Sequence, residues 1–137
     1  MDSFLKKIES LYPEFVFKPG KKFLFRPKNT IFYVKNSTHF ELLLLHELGH
    51  ALLGHYNFGT GLSRLKMESA AWDKARSLAH QFDITIDEDF IESELDTYRN
   101  WLHSRLTCPH CGLVRLETKD QKLICPRCDV LLKKSDD

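Results

Sequence analysis

Five consecutive residues, His46-Glu47-Leu48-Gly49-His50, constrain this chain more than any other part of its sequence. Successive residues of an α-helix lie about 100° apart, so residues separated by four positions share one face. On a helix, His46 and His50 can therefore bind one metal ion through their ring nitrogens. Glu47 would then lie beside a water molecule at the ion and act as its general base. The segment predicts a metal-binding helix.

The flanking residues predict that this helix is buried. Thr38 and Glu41 have the spacing of a capping box, in which each side chain accepts a hydrogen bond from the other residue's backbone N–H. We therefore expect the helix to begin there, to continue through Leu42–Leu45 and to end near Gly54. Two histidines and a glutamate are costly to bury in so apolar a helix unless a partner such as a metal ion compensates them.

A catalytic zinc ion needs a third protein ligand and one open position. His55 lies five residues after His50, about 140° around the helix, and would point elsewhere unless the helix has ended. Glu68 is the better candidate, because it lies within an apolar stripe of a predicted second helix over residues 63–80. The stripe residues within about 60° of it are Ala71, Trp72, Ala75, Ala79 and Phe82. A carboxylate in a core-facing stripe needs a compensating partner, and a zinc ion would supply one. The alternative is that Glu68 is a buried acid held by hydrogen bonds, or an acid at the edge of the stripe.

The cysteines predict a second metal site. All four lie in two C-x-x-C pairs near the end of the sequence, Cys108/Cys111 and Cys125/Cys128. A secreted protein held by disulfides would spread its cysteines along the chain, so the pairs indicate metal ligands in a reducing compartment. Two C-P-x-C turns can place four thiolates in a tetrahedron around one zinc ion. Because such a shell is closed, we expect this zinc to be structural, in a zinc ribbon.

Neither the charge nor the N-terminus indicates membrane or nucleic-acid binding. The net charge of the 137-residue chain is +1, and its first twelve residues contain no long apolar run typical of a signal peptide or anchor. Residues 15–35 hold six basic and six aromatic residues and no acid. Their alternation favours a sheet with a buried aromatic face and a solvated basic face over a nucleic-acid surface. We expect a cytoplasmic protein that binds neither membranes nor nucleic acid directly.

Apolar periodicity and turn residues predict an α+β fold in two domains. Helices are expected at 1–12, 38–54, 63–80 and 87–105, and strands at 15–17, 23–25 and 31–34. We expect a metal-binding domain over residues 1–106 and the zinc ribbon with a C-terminal tail over residues 107–137.

The segments HELGHALLGH and KMESAAWDKA resemble the ImmA/IrrE family of metallopeptidases, over roughly residues 10–105. His46, Glu47 and His50 match the family's H-E-x-x-H. The family segment that usually reads E-x-E-A is Glu68-Ser69-Ala70-Ala71 here, so one of its two usual acids is replaced by alanine. The resemblance implies a zinc-dependent endopeptidase, often encoded by phages or mobile elements, that acts on a helix-turn-helix repressor.

The same resemblance implies a zincin-like fold, with a small, mostly antiparallel sheet packed on helices. In such folds the strand before the zinc helix commonly forms the edge of the cleft, so Ile31–Lys35 is expected to pair with an extended substrate. Tyr33 and Tyr56 are candidate donors to the developing oxyanion.

Two other functions fit the same residues. The first is a regulatory module that uses the zinc scaffold to bind a repressor without hydrolysis. The second is a SprT-like protease, since those proteins also combine H-E-x-x-H with a C-terminal zinc ribbon. SprT-like proteins take a third histidine from a downstream H-G segment, whereas this chain has Gly54-His55, in the reverse order and close to the motif.

Overall fold

The structure is a computed structural model that describes residues 2–26, 28–55, 61–117 and 122–128. The helices in these ranges are α1 (Asp2–Leu11), α2 (Phe40–Leu52), α3 (Gly61–Gln81) and α4 (Glu88–Leu106). The strands are β1 (Val16–Pro19), β2 (Leu24–Arg26), β3 (Thr30–Tyr33), β4 (Leu116–Glu117) and β5 (Leu123–Ile124). The predicted α+β class is confirmed, and each predicted helix and strand lies within a few residues of an observed one.

The first three strands form a mixed sheet in the order β1-β3-β2. β2 pairs antiparallel with β3, and β1 pairs parallel with β3 on the other side. The prediction of a mostly antiparallel sheet is therefore wrong. The turn before β3, where Lys28 and Asn29 have left-handed backbones (φ 74° and 59°), joins β2 to β3 as an antiparallel pair. β1 lies against β3 rather than β2, and because the chain reverses direction before β2 and again before β3, β1 and β3 run the same way.

β3 positions the sheet against the helix that carries the histidines. Ile31 and Tyr33 alternate with the less buried Phe32, and Ile31 is fully buried. On β2, Phe25 is also buried, and both strands contact α2. β3 is the central strand, so its backbone N–H and C=O groups form hydrogen bonds with β1 on one side and β2 on the other. The expected pairing of Ile31–Lys35 with an extended substrate therefore does not fit this sheet.

The ends of α2 are set by backbone geometry. His39, with a left-handed backbone (φ 58°), occupies the N-cap position and makes no side-chain capping bond. The capping box predicted for Thr38 is therefore wrong, because that residue lies one position too early. At the other end Gly54 has φ 72°. The N–H of Gly54 donates to Ala51 O (3.2 Å) and the N–H of His55 to His50 O (3.0 Å), which together form a Schellman motif.

Gly49 allows α2 and α3 to approach closely. A Cβ atom at this position would lie 2.7 Å from the carbonyl oxygen of Ala71 on α3. Ala71 follows Glu68 by three residues, so the two lie about one turn apart on the same side of the helix. The close approach at Gly49 therefore brings the Glu68 carboxylate within reach of the side chains of α2.

We expect Gly49→Ala to destabilise the protein by about 1–3 kcal/mol, because the added methyl group meets a backbone oxygen rather than a flexible side chain. In a helix interior without this contact, replacing glycine by alanine would stabilise the protein by about 1 kcal/mol. A loss of stability in Gly49→Ala would therefore indicate the close approach of α3. Urea denaturation followed by circular dichroism measures it. Ser77→Ala, on the exposed side of α3, is the control and should change stability by less than about 0.5 kcal/mol. A Gly49→Ala protein as stable as the wild type would contradict the close approach.

Contacts divide the chain into two compact units. The first contains the described residues up to 55 together with Met67–Glu88, and its fully buried side chains include Ile8, Ile31, Leu44, Leu45, Leu48 and Trp72. The boundary predicted from the sequence between residues 106 and 107 stays a prediction.

The second unit contains the described residues of 61–66 and 89–128. Within it, α4 buries Ile91, Leu95 and Leu102. After α4, the antiparallel pair β4–β5 and an isolated bridge between Thr107 and Val114 form the cysteine region. The predicted C-terminal tail lies outside the described residues. No helix in the described ranges combines the length and the apolar character needed to cross a membrane.

Candidate metal centres

The structure brings His46, His50 and Glu68 together in the first unit. The Nε2 atoms of His46 and His50 lie 3.1 Å and 3.2 Å from the same oxygen, Oε1 of Glu68. All three residues are buried, and Glu68 is only 1% exposed. In a tetrahedral site with ligand bonds of about 2.0–2.1 Å, neighbouring ligand atoms lie about 3.3–3.4 Å apart. The separations from the glutamate oxygen therefore match the edges of a site that could hold a metal ion.

Nε2 of His46 provides a test of that fit. The atom is buried and makes no well-oriented hydrogen bond among the described residues, although Oε1 of Glu68 lies 3.1 Å away. Leaving such a group unsatisfied costs about 1–3 kcal/mol. A metal ion at this point would satisfy it, and two imidazole nitrogens with one carboxylate oxygen are a donor set that zinc accepts.

The charge state of Glu68 suits a ligand. Burial alone would raise the pKa of this carboxyl, but the imidazole rings of His46 and His50 beside it outweigh burial and hold its pKa below the ordinary value. Glu68 therefore stays ionised at neutral pH, and metal ligands must be deprotonated to bind.

Glu47 differs from Glu68 in its electrostatics. Burial has the largest effect on the Glu47 carboxyl and raises its pKa, and the charge of Glu68 raises it further. His46, His50 and a hydrogen bond from the backbone of Phe25 lower it, but the net shift is upward. Oε1 of Glu47 lies 3.8 Å from Nδ1 of His46. A buried carboxyl with a raised pKa is better matched to accepting and returning a proton at neutral pH than an ordinary glutamate.

The two histidines are held by different neighbours. The ring of His46 stacks on Trp72, with centroids 4.2 Å apart and planes 6° from parallel. Nδ1 of His50 lies 2.9 Å from Nδ1 of His55, whose pKa is lowered by burial and by His50. The position of Trp72 near this centre was predictable from the sequence, because Trp72 follows Glu68 by four residues and lies on the same face of the helix. His55 was expected to point elsewhere, and only the end of α2 at Leu52 returns it to His50.

The two tyrosines proposed as oxyanion donors are not brought to this centre by any described contact. Tyr33 is buried, and its ring packs edge to face on Phe40 with centroids 5.7 Å apart. Its catalytic role stays a prediction. Tyr56 lies outside the described residues.

The structure also brings the four cysteines together, in the second unit. Sγ of Cys108 lies 3.7 Å from Sγ of Cys128, and Sγ of Cys111 lies 3.5 Å from Sγ of Cys125. A disulfide would require about 2.05 Å. In a tetrahedron with metal–sulfur bonds of about 2.3 Å, the sulfur atoms lie about 3.8 Å apart. The cysteines therefore form a cluster with the size of a metal site.

The thiols do not ionise equally. Backbone hydrogen bonds from Cys111 and His110 lower the pKa of Cys108 to about 6. Burial and the neighbouring thiols raise the pKa of Cys128 to about 12. Four thiolates at these separations therefore need a cation to be ionised together near neutral pH, and metal binding supplies it with release of protons.

No protein-family model matches this chain, and no curated protein and no solved structure is significantly similar to it.

The two centres differ in the number of coordination positions that their side chains could fill around a metal ion. Four thiolates complete a tetrahedron, so the cysteine cluster suits a structural ion. His46, His50 and Glu68 could supply three protein ligands, which would leave a fourth position of a tetrahedral shell open. Glu47 lies between the two histidines on α2, with its Oε1 3.8 Å from Nδ1 of His46.

Proposed function

We propose that this protein is a zinc-dependent endopeptidase. His46, His50 and Glu68 would hold the catalytic zinc ion, and the four cysteines would hold a second, structural zinc ion in a zinc ribbon. The observation that carries the proposal is the convergence of three buried donor atoms on one point, next to the buried Glu47. A sheet packed on the helix that carries both histidines supports a zincin-like fold.

Zinc bound at the histidine centre would polarise the scissile carbonyl and lower the pKa of a water molecule. Glu47 would accept the proton of the attacking water and later pass it to the leaving amine. Burial raises the pKa of Glu47, which brings its carboxyl closer to the range suited to both proton transfers at neutral pH. Glu68 stays ionised because its pKa is lowered, so it does not compete with Glu47 for the proton. The two buried carboxylates thus have separate roles that follow from their surroundings.

The proposed substrate is a protein, a helix-turn-helix repressor of a phage or mobile element in the cytoplasm. The resemblance of HELGHALLGH and KMESAAWDKA to the ImmA/IrrE family supports this choice. The position of Glu68, 3.1 Å from Nε2 of His46, favours this family over SprT-like proteases, which use a third histidine.

The alternative is a module that binds a repressor with the same zinc scaffold but does not cleave it. The two functions differ in their need for Glu47. A module that only binds has no chemical use for a buried carboxyl with a raised pKa beside a metal centre. The location of Glu47 therefore favours cleavage.

The test compares wild type with Glu47→Gln in cells that carry a repressor-controlled reporter. We expect the wild type to create new protein N-termini, detectable by mass spectrometry, and the variant to co-purify with the intact substrate. Glu41→Gln, on the same helix but in its first turn, is the control and should behave as wild type. If wild type and Glu47→Gln relieve repression equally, cleavage is not the function and the binding module replaces it.

A further inference from the structure

His55 contacts a proposed metal ligand but has no place in the chemistry described above. Its Nδ1 lies 2.9 Å from Nδ1 of His50, and the ring centroids are 5.1 Å apart. Two imidazole nitrogens at this separation form a hydrogen bond only if one carries a proton and the other accepts it. The contact therefore relates the proton position on one ring to that on the other.

The end of α2 creates this contact. In a continuous helix, a residue five positions after His50 would lie about 140° around the axis. The helix instead ends at Leu52, and the left-handed backbone of Gly54 turns the chain back. The N–H of His55 then donates to the carbonyl oxygen of His50 at 3.0 Å. His50 and His55 are thus joined by a backbone hydrogen bond and by a contact between their rings.

The other nitrogen of His50 determines the direction of the ring hydrogen bond. Nε2 of His50 faces Oε1 of Glu68 at 3.2 Å, in the position of a metal ligand. To bind a metal, Nε2 must present its lone pair, so the proton of a neutral His50 ring belongs on Nδ1. Nδ1–H then donates to Nδ1 of His55, whose own proton lies on Nε2.

We propose that His55 is the positioning residue of His50: it accepts the Nδ1 proton and so fixes both the tautomer and the angle of the ligand ring. The proposal rests on the proposed metal centre and deepens it. Metal-binding histidines commonly donate their second N–H to a fixed acceptor, and loss of that acceptor typically weakens metal binding by about 10–100-fold. His46 is oriented differently, by the face of Trp72.

The test removes the acceptor with His55→Leu and restores one with His55→Asn, whose side-chain oxygen can take the place of Nδ1. Both changes are made in the Glu47→Gln chain, so that cleavage does not affect the result. Zinc release to a chromogenic chelator is measured, and the cysteine centre serves as the internal control. We expect the zinc at the histidine centre to bind about 10–100-fold more weakly in His55→Leu and to recover most of its affinity in His55→Asn. Thermal unfolding should be similar in both, because His55 is partly exposed.

Unchanged zinc affinity in His55→Leu would overturn the proposal. Equal losses in His55→Leu and His55→Asn would also overturn it, since the effect would then come from packing rather than from the acceptor. Failure of the proposed function gives a different result. If the affinities change as expected but the chain with Glu47 cleaves no protein, the peptidase function fails and the role of His55 stands. If the wild type binds zinc at the cysteines alone, both fail.

Discussion

Replacing Glu47 with glutamine is expected to lower cleavage by about 10²-fold or more without changing the zinc content. Glutamine has nearly the same shape as glutamate, but its amide does not accept a proton from water. Zinc should stay bound, because the atoms that converge on the site belong to His46, His50 and Glu68. The measurements are the rate of substrate cleavage and the zinc-to-protein ratio of the same sample.

Glu41→Gln is the matched control for this change, because it makes the same substitution on the same helix away from the buried cluster. It should keep the wild-type rate. A Glu47→Gln protein that cleaves as fast as the wild type would show that the proton is accepted elsewhere. Loss of zinc from that variant would show instead that Glu47 helps to hold the ion.

Replacing Glu68 with alanine is expected to remove zinc from the histidine centre and to abolish cleavage. Zinc bound per chain should fall from about two to about one, because two histidines alone leave half of a tetrahedral shell to water. The loss of affinity should exceed the roughly 10–100-fold typical of residues that only support a ligand. Elemental analysis after dialysis measures the zinc content, and circular dichroism checks that the helices remain.

Asp73→Ala is the control on the same helix. Its side chain is 75% exposed and pairs with Arg76 at the surface. We expect it to change neither zinc content nor activity. If Glu68→Ala kept two zinc ions and full activity, the third ligand would be another residue, and Glu68 would be the hydrogen-bonded buried acid of the alternative interpretation.

The histidine centre was predictable from the sequence because its signals are local. His46 and His50 are four residues apart, and the helical period alone places them on one face. Glu68 was found by the same period, since it interrupts an apolar stripe that continues through Trp72. The structure then places the two Nε2 atoms within 3.2 Å of the glutamate oxygen. Because that stripe of α3 is buried, Glu68 lies against the two histidines of α2, and the three residues form one site.

The partners of the strands were not predictable in the same way. Alternation of buried and exposed residues looks alike in a strand that pairs in either direction, so it does not identify a neighbour. Here β1 pairs in parallel with β3, while β2 pairs antiparallel with β3 on its other side. The mixed sheet results from the position of β1 against β3 rather than β2, which apolar periodicity does not indicate.

The two ends of α2 were also only partly predictable from the sequence. Thr38 has the residue type of a cap, but His39 with its left-handed backbone occupies that position. Gly54 was expected to stop the helix, yet the consequence for His55 depends on the backbone turn that glycine makes possible. The contact between His50 and His55 was therefore not predictable from the sequence alone.

X-ray absorption at the zinc edge of the purified wild-type chain tests the central claim most directly, because it counts the ligand types around zinc. With one ion on four thiolates and one on His46, His50 and Glu68, the spectrum should show an average of about two sulfur and about two nitrogen or oxygen ligands per zinc. Their distances should be about 2.3 Å for sulfur and about 2.0–2.1 Å for nitrogen and oxygen. A spectrum with about four sulfur ligands per zinc and no nitrogen or oxygen shell would contradict a zinc ion at the histidine centre.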